Sequence, residues 1–427
     1  MKARIAIAAA VCSVAALAAT TAAFAQAGKS SAGTTLTVLG PYAGADQQSF
    51  QAVLSAYEAA NPGTTVTYSS AGANVGTSLA AAVKNGTAPD IAVLSLPRDM
   101  ATLRSLVSSK SVMPIGFVAS TLDKDYAFTW KMLGTVSGGL YGLPFRVDDE
   151  SAFWYDPAIF KNVGVQAPTT WAGLGQVSKK ILAAGIKPFA VAGGDGTSLA
   201  AMFANVYLTQ QGPARYDLLA AHKIKWTDPS VVAALRELSS VVRPGLLSRK
   251  IANVVQSDFP STVMQLFRTP PRAAMLFGGS NVIPVLSTKA AVAARPASQF
   301  GAFAFPTISR PPARVVGGAD VVVMVKDGAA ARSLVGYLAT PAAATVWAKR
   351  GGFISPNAKV DPASYPLAAT RTMAMQVAQT ATFRLDLAGL QTPAFRSKLA
   401  GFLKTFVQGP ARVAQITQSI EAAASSA

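Results

Sequence analysis

Cysteine and histidine are almost missing from this chain of 427 residues, which carries one of each. That scarcity excludes Cys-rich zinc sites, disulfide frameworks and catalytic Cys–His pairs. The single histidine, His222, sits in Ala-His-Lys-Ile-Lys-Trp and reads as a solvated loop residue. With no Gly-x-Ser-x-Gly elbow anywhere, a serine triad has nothing to build on. Phosphate loops of the GxxxxGK[ST] and GxGxxG kinds are absent too, and Gly193-Gly194-Asp195-Gly196 is merely rich in glycine. Beyond the extreme N-terminus no apolar run reaches the roughly 20 residues a membrane-spanning helix needs, which excludes a many-pass membrane protein. Neither a solenoid repeat nor a coiled-coil heptad occurs.

What is present is apolar and basic. Hydrophobic residues make up 51% and charged residues 14%, which excludes disorder for most of the chain. The length suits two or three domains at roughly 150 residues each. Lys2 and Arg4, the apolar stretch Ile5 to Ala19 and the small residues of Ala23-Phe24-Ala25 form a secretory signal, expected to be cut before Gln26. Residues 1–25 are thus a signal peptide, 26–33 a small polar linker, and the mature protein periplasmic. Cleavage removes Cys12, leaving no thiol to mispair in an oxidising compartment. Lys plus Arg number 38 against 20 acidic residues, but they are scattered in pairs such as Lys179-Lys180 and Arg249-Lys250. With no nucleic-acid-binding signature and an exported chain, no nucleic-acid partner is expected.

Strand and helix signals alternate after the linker. Thr34 to Leu39 is β-branched and apolar. Phe50, Val53, Leu54 and Tyr57 then form a helical stripe, which Asn61-Pro62-Gly63 breaks. Thr64 to Tyr68 returns to strand, Val75, Leu79, Ala82 and Val83 to helix, and Asp90 to Leu96 to a buried strand. This β-α-β-α-β order predicts a mostly parallel sheet whose ligands bind beyond the carboxyl ends of its strands. Helical stripes dominate later, with a strand-rich stretch over Val315 to Val325. One enzymatic option survives: a glycosidase using Asp148 and Glu150, which would share one strand face.

Ordered motifs carry a family resemblance. They are FQAVLSAYEAANP at 50–62, NGTAPDIAVL at 85–94, LYGLP at 140–144, FWYD at 153–156, PTTW at 168–171, RAAM at 272–275, GGADVVV at 317–323 and GGFISPN at 351–357. Together they make residues 34–424 resemble the extracellular solute-binding proteins of ABC importers, family 1, and among these the alpha-glucoside-type binders. The resemblance implies an α/β fold of the periplasmic-binding-protein type II, with two lobes joined by crossing strands near Pro144–Val147, Val315–Gly318 and Gly351–Ser355. Lobe I would take 34–144 plus 316–352, and lobe II 145–315 plus 353–427. It further implies a monomer that performs no catalysis and holds no cofactor or metal. Such a protein delivers a small carbohydrate, such as an alpha-glucoside or oligosaccharide, to the transmembrane subunits of an ABC permease.

A sugar needs carboxylates, amides and arginine for its hydroxyls, and rings for its C–H faces. The candidates are Tyr42, Asp46 and Gln47 after the first strand, Arg146 and Asp148 at the first crossing, and Gly194 and Asp195 in the glycine-rich loop. Phe277, Gly278, Gly279 and Ser280, and Phe353 past the third crossing, complete the set. Bland readings stand beside them. Asp46 suits a helix N-cap, Arg146 and Asp148 a structural ion pair, Phe277, Trp154 and Tyr155 the core, and Trp171 packing at a helix start. Alpha-glucoside-type members usually carry a tryptophan where this chain has Gly193 to Gly196, which leaves the ligand open. The basic charge and Arg146 make a sugar phosphate or polyol the alternative.

Overall fold

The computed structural model describes residues 33–288, 296–309 and 314–426. The signal peptide and the linker, apart from Gly33, lie outside these residues. Strands β1 (Thr34–Gly40), β2 (Thr64–Ser70) and β3 (Ile91–Leu96) form as the apolar runs predict, with β1 pairing in parallel with both β2 and β3. The intervening helix Gly44–Ala60 buries Phe50, Val53, Leu54 and Tyr57, the predicted stripe. It stops at Asn61, whose side chain donates to the Tyr57 carbonyl at 2.8 Å.

A short hairpin, β4 (Thr135–Val136) and β5 (Gly139–Leu140), precedes β6 (Gly142–Asp149) and β7 (Ala152–Tyr155). Then come β8 (Phe189–Ala190), β9 (Met275–Phe277), β10 (Gly301–Ala304), β11 (Val315–Met324) and β12 (Phe383–Leu385). The larger sheet runs β12-β11-β3-β1-β2, with β6 on the other side of β11; the smaller runs β10-β7-β9-β8. Because β11 is covered on both edges and both faces, it is apolar almost throughout, as buried strands are. Two glycines permit close backbone approaches beside the end of β6. A Cβ at Gly317 would stand 1.9 Å from the Asp148 carbonyl, and one at Gly279 would stand 1.6 Å from that of Asp149.

The first hydrophobic core runs from the larger sheet onto one face of the smaller (Trp154, Ala190, Leu276) and the second fills the other face (Phe153, Phe189, Phe277); with its two sheets the molecule has the expected two-lobed α/β architecture. The three expected crossings lie side by side. β6 pairs antiparallel with β11, and the Val147 amide donates to the Ile354 carbonyl at 2.9 Å.

The lobe boundaries differ from those expected. All of β6 belongs to the larger sheet, including 145–149, because its register against β11 runs from Gly142 to Asp149. The stretch 353–427 is divided. Phe353, Val360, Tyr365, Met373 and Val377 pack in the first core, and β12 extends the larger sheet alongside Val315 to Gly317. Leu399, Leu403, Phe406 and Ile420 pack in the second.

Trp154 is buried as read, its indole donating to the Gly279 carbonyl at 3.0 Å, and Tyr155 packs against the second core. Trp171 opens its helix beneath an N-cap, Thr170, and packs on Phe305. His222 lies exposed in a turn, as read, with its ring facing Glu421 at 3.2 Å.

Candidate functional site

Where β6 leaves the larger sheet, alternation sends Arg146, Asp148 and Glu150 toward one side. They line a cavity of about 300 Å³ together with Ser280, Asn281, Pro284, Gly352 and Ile354. A second cavity of about 210 Å³ adjoins it, sharing Glu150 and Asn281. Thr197, Ser198, Phe259, Phe277, Gly278, Gly279, Asp386 and Arg396 are among its other walls. Segments from β6, the β9 exit, the start of the helix Thr197–Gln211 and the β12 exit therefore converge on one place.

Arg146 is held from all sides. Its guanidinium meets Asp46 at 2.8 Å and Asp148 at 3.7 Å, and lies 5.8 Å from the Tyr42 ring centre and 5.5 Å from that of Trp347. Burial opposes its charge, but Asp148, Asp320 and Asp46 outweigh that effect and keep it cationic. Behind it, Asp320 accepts from the Ser95 hydroxyl at 2.7 Å. Burial raises the Asp320 carboxyl to about 6 against the opposing pull of Arg146.

Glu150 is the opposite case. Its carboxylate, at the junction of the two cavities, has no hydrogen-bond partner among the described residues. Burial pushes its pKa well above the ordinary value, and Asp386, Asp148 and Asp149 push it further. Asp386 is raised too, by burial, although the Gly389 amide donates to its Oδ2 at 2.6 Å. The Oδ1 of Asp386 and the Arg396 Nε, both of residues lining the smaller cavity, have no hydrogen-bond partner among the described residues. Asp149 points the other way into the protein, where burial lifts it to about 7 although the Ser151 amide donates to it at 2.7 Å.

Of the residues read from the sequence, Arg146, Asp148 and Ser280 line the larger cavity and Phe277, Gly278 and Gly279 the smaller. Phe277 keeps a core role as well, packing edge-on against Phe153 and Phe305. Asp46 is not the N-cap. Ala43 occupies that position, and Asp46, in the first turn, reaches Arg146 instead. Gln47 is half-buried on the same turn and lines neither cavity.

Four further candidates, Tyr42, Phe353, Gly194 and Asp195, line neither cavity. Tyr42 is 3% exposed, wedged against Trp347 and Phe50, because its ring continues the first core. Phe353 is 1% exposed and stacks on Trp347 at 5.0 Å for the same reason. Gly194 is half-buried and Asp195 exposed. The Gly194 carbonyl accepts from Lys404 at 2.7 Å, and Asp195 accepts from the Thr197 amide at 3.0 Å. Their loop thereby presents Thr197 and Ser198, which the sequence reading did not single out. Asp386 and Arg396 were also missed. No local pattern marks them, since only the fold brings them to Glu150.

The family model for bacterial extracellular solute-binding proteins matches residues 43–345. An alpha-glucosides-binding periplasmic protein of Rhizobium meliloti is 27% identical over 367 residues, covering 83% of this chain and 79% of that protein. An osmoprotective-compounds-binding protein of Synechocystis is 26% identical, over 82% and 83% of the two chains. Among solved structures, the bacterial solute receptor AcbH superposes with a TM-score of 0.77 at 18% identity, covering 92% of this chain and 99% of that one. The apo-form of RafE from Streptococcus pneumoniae gives 0.76 at 17% identity, over 92% and 97%. A two-lobed fold with adjoining polar cavities at its crossing strands, matched by that model over most of its length, places the chain in the bacterial extracellular solute-binding protein family.

Proposed function

We propose that the protein is the substrate-binding component of an ABC importer and that it captures a small neutral carbohydrate between its lobes. The observation that carries this reading is the pair of joined cavities around Glu150 and Asn281, which offer unpartnered carboxyl, amide and hydroxyl groups beside the Phe259 and Phe277 rings. Sugars supply matching donors, acceptors and C–H faces. Volumes of about 210 and 300 Å³ lie below and at the lower bound of the 300–1,000 Å³ usual for small-molecule sites. They favour one or two rings over a long oligosaccharide. An alpha-glucoside remains the first candidate, in keeping with what the Rhizobium meliloti relative is named for.

The sugar-phosphate alternative loses support at the site itself. Arg146 is already paired with Asp46 and Asp148, and the walls bring Glu150 and Asp386 against any anion. Asp148 and Glu150 do share a cavity wall, as a glycosidase would require. In our reading they accept hydrogen bonds and break none of the ligand's bonds. The protein acts as an exported monomer, cut before Gln26 and working in the periplasm, with lobe closure presenting the loaded form to the permease.

Thermal-shift titration across neutral mono- and disaccharides, polyols and sugar phosphates tests this. A saturable shift with a neutral sugar, and no release of product from a chromogenic glycoside, is the expected result. A shift confined to anions would overturn it.

A further inference from the structure

The chain's excess of positive charge has no outlet in an interlobe cleft edged by carboxylates. It does have one on the surface of the second lobe. Arg249, Arg268 and Arg272 line a separate open depression of about 330 Å³ with Ser261, Met264 and Gln265. None of the three guanidiniums forms an ion pair among the described residues. The acid that senses Arg249 is Asp258, and it is committed elsewhere. It caps the helix Phe259–Phe267, taking the Ser261 amide at 2.7 Å and the Ser261 hydroxyl at 2.6 Å.

Local structure explains why the arginines meet. Arg268 ends that helix, and the chain then turns so that the Arg272 amide donates to the Gln265 carbonyl at 2.8 Å, one turn back. This fold-back returns Arg272 to the side of Arg268. The Gln265 Oε1 already takes the Ser248 hydroxyl, and no guanidinium donates to it among the described residues. Arg268 also suits a helix C-terminus, but that accounts for one arginine of three.

We propose that this depression is an oxyanion site taking a phosphate group, separate from the interlobe cleft. Three like charges facing one hollow repel one another, and a doubly charged tetrahedral anion relieves that repulsion. Guanidinium forks match phosphate oxygens two by two. The lining contains no aromatic ring on which a base could stack, so the group recognised is the phosphate and not a nucleic acid. The phosphate belongs either to a free inorganic anion or to an anionic lipid headgroup at the membrane where the permease resides.

The test uses the full mature chain at low ionic strength. Calorimetric titration with inorganic phosphate and with pyrophosphate forms one arm. Co-sedimentation with phosphatidylglycerol-containing vesicles, against pure phosphatidylcholine, forms the other. Saturable binding of one anion per chain assigns a soluble oxyanion, whereas binding confined to phosphatidylglycerol assigns the headgroup. In either case the R249Q/R268Q/R272Q variant should bind at least roughly tenfold more weakly, since charge-assisted hydrogen bonds are lost. A variant with the same charge change elsewhere, K161Q/K179Q/K180Q, should retain binding, and the cleft should keep its sugar-induced thermal shift in both. No saturable binding by the unaltered protein in either arm would overturn the proposal without recourse to any variant. Equal weakening in the two triple variants would overturn it as well, since net charge alone would then account for the attraction.

Discussion

The two walls of the interlobe cleft are built on different plans. On the Arg146 wall the guanidinium has company on every side, with Asp46 at 2.8 Å, Asp148 at 3.7 Å and the rings of Tyr42 and Trp347 around it, although Tyr42 Oη and Trp347 Nε1 are themselves unmatched among the described residues. On the Glu150 wall, the Glu150 carboxyl stands without a hydrogen-bond partner among the described residues, and Asp386 and Arg396 each keep an unmatched atom. Burying an unmatched polar group costs about 1–3 kcal/mol, so such groups persist where something else offsets that cost. Under the proposed function, the paired charges of the first wall suit a scaffold role and the unpaired Glu150 of the second suits recognition.

The largest effect should come from the scaffold. Trp347 is fully buried and touches Tyr42, Phe50, Phe145 and Phe353. Trp347→Ala should therefore cost about 3–5 kcal/mol in chemical denaturation. A loss under about 1 kcal/mol would end the distinction, because core truncations of this size are far more costly.

Asp149 comes next. Its carboxyl is held near 7 in the folded protein, so the unfolded chain releases the proton first as pH rises. The resulting contribution is fully present below about pH 4 and is lost as pH climbs toward 7, at about 1.4 kcal/mol per unit. Asp149→Asn should flatten that part of the denaturation profile and stabilise the protein at neutral pH.

Glu150→Gln sharpens the comparison most directly. It should weaken sugar binding by roughly 1.5–3 kcal/mol, the worth of a hydrogen bond to a charged group, without lowering the melting temperature. Because the raised Glu150 carboxyl accepts better once ionised, affinity in the unaltered protein should rise with pH. Calorimetry on the variant should show that rise gone. If Glu150→Gln destabilises the fold and leaves affinity intact, the assignment of the walls is reversed.

The smallest change belongs to Asp46→Asn. The Asp46 side chain is 41% exposed, and solvent screening reduces what its ion pair is worth. Melting temperature and affinity should both move by less than about 1 kcal/mol.

Much of the scaffold was legible in order along the chain. The Phe50 to Tyr57 stripe, the apolar β3 run and the break at Asn61-Pro62-Gly63 each express a local periodicity or turn chemistry, and each appears where read. The crossing strands were legible through motif resemblance, and the first glycine of GGADVVV, Gly317, is what lets β6 approach β11. The site was legible only in part. Arg146, Asp148 and the 277–280 segment reach the cavities, whereas Tyr42 and Phe353, equally attractive as stacking rings, turn into the first core.

Composition, periodicity and turn chemistry determined by themselves that this chain builds α/β layers with a parallel β-α-β start, because those signals act over a few residues. Which way a loop side chain faces is settled by segments distant in sequence. Only the tertiary structure could set Asp386 beside Glu150, close Trp347 over Arg146, or fold Arg272 back to Arg268. The energies of those groups depend on desolvation and on neighbouring charges, and neither exists until the chain has packed.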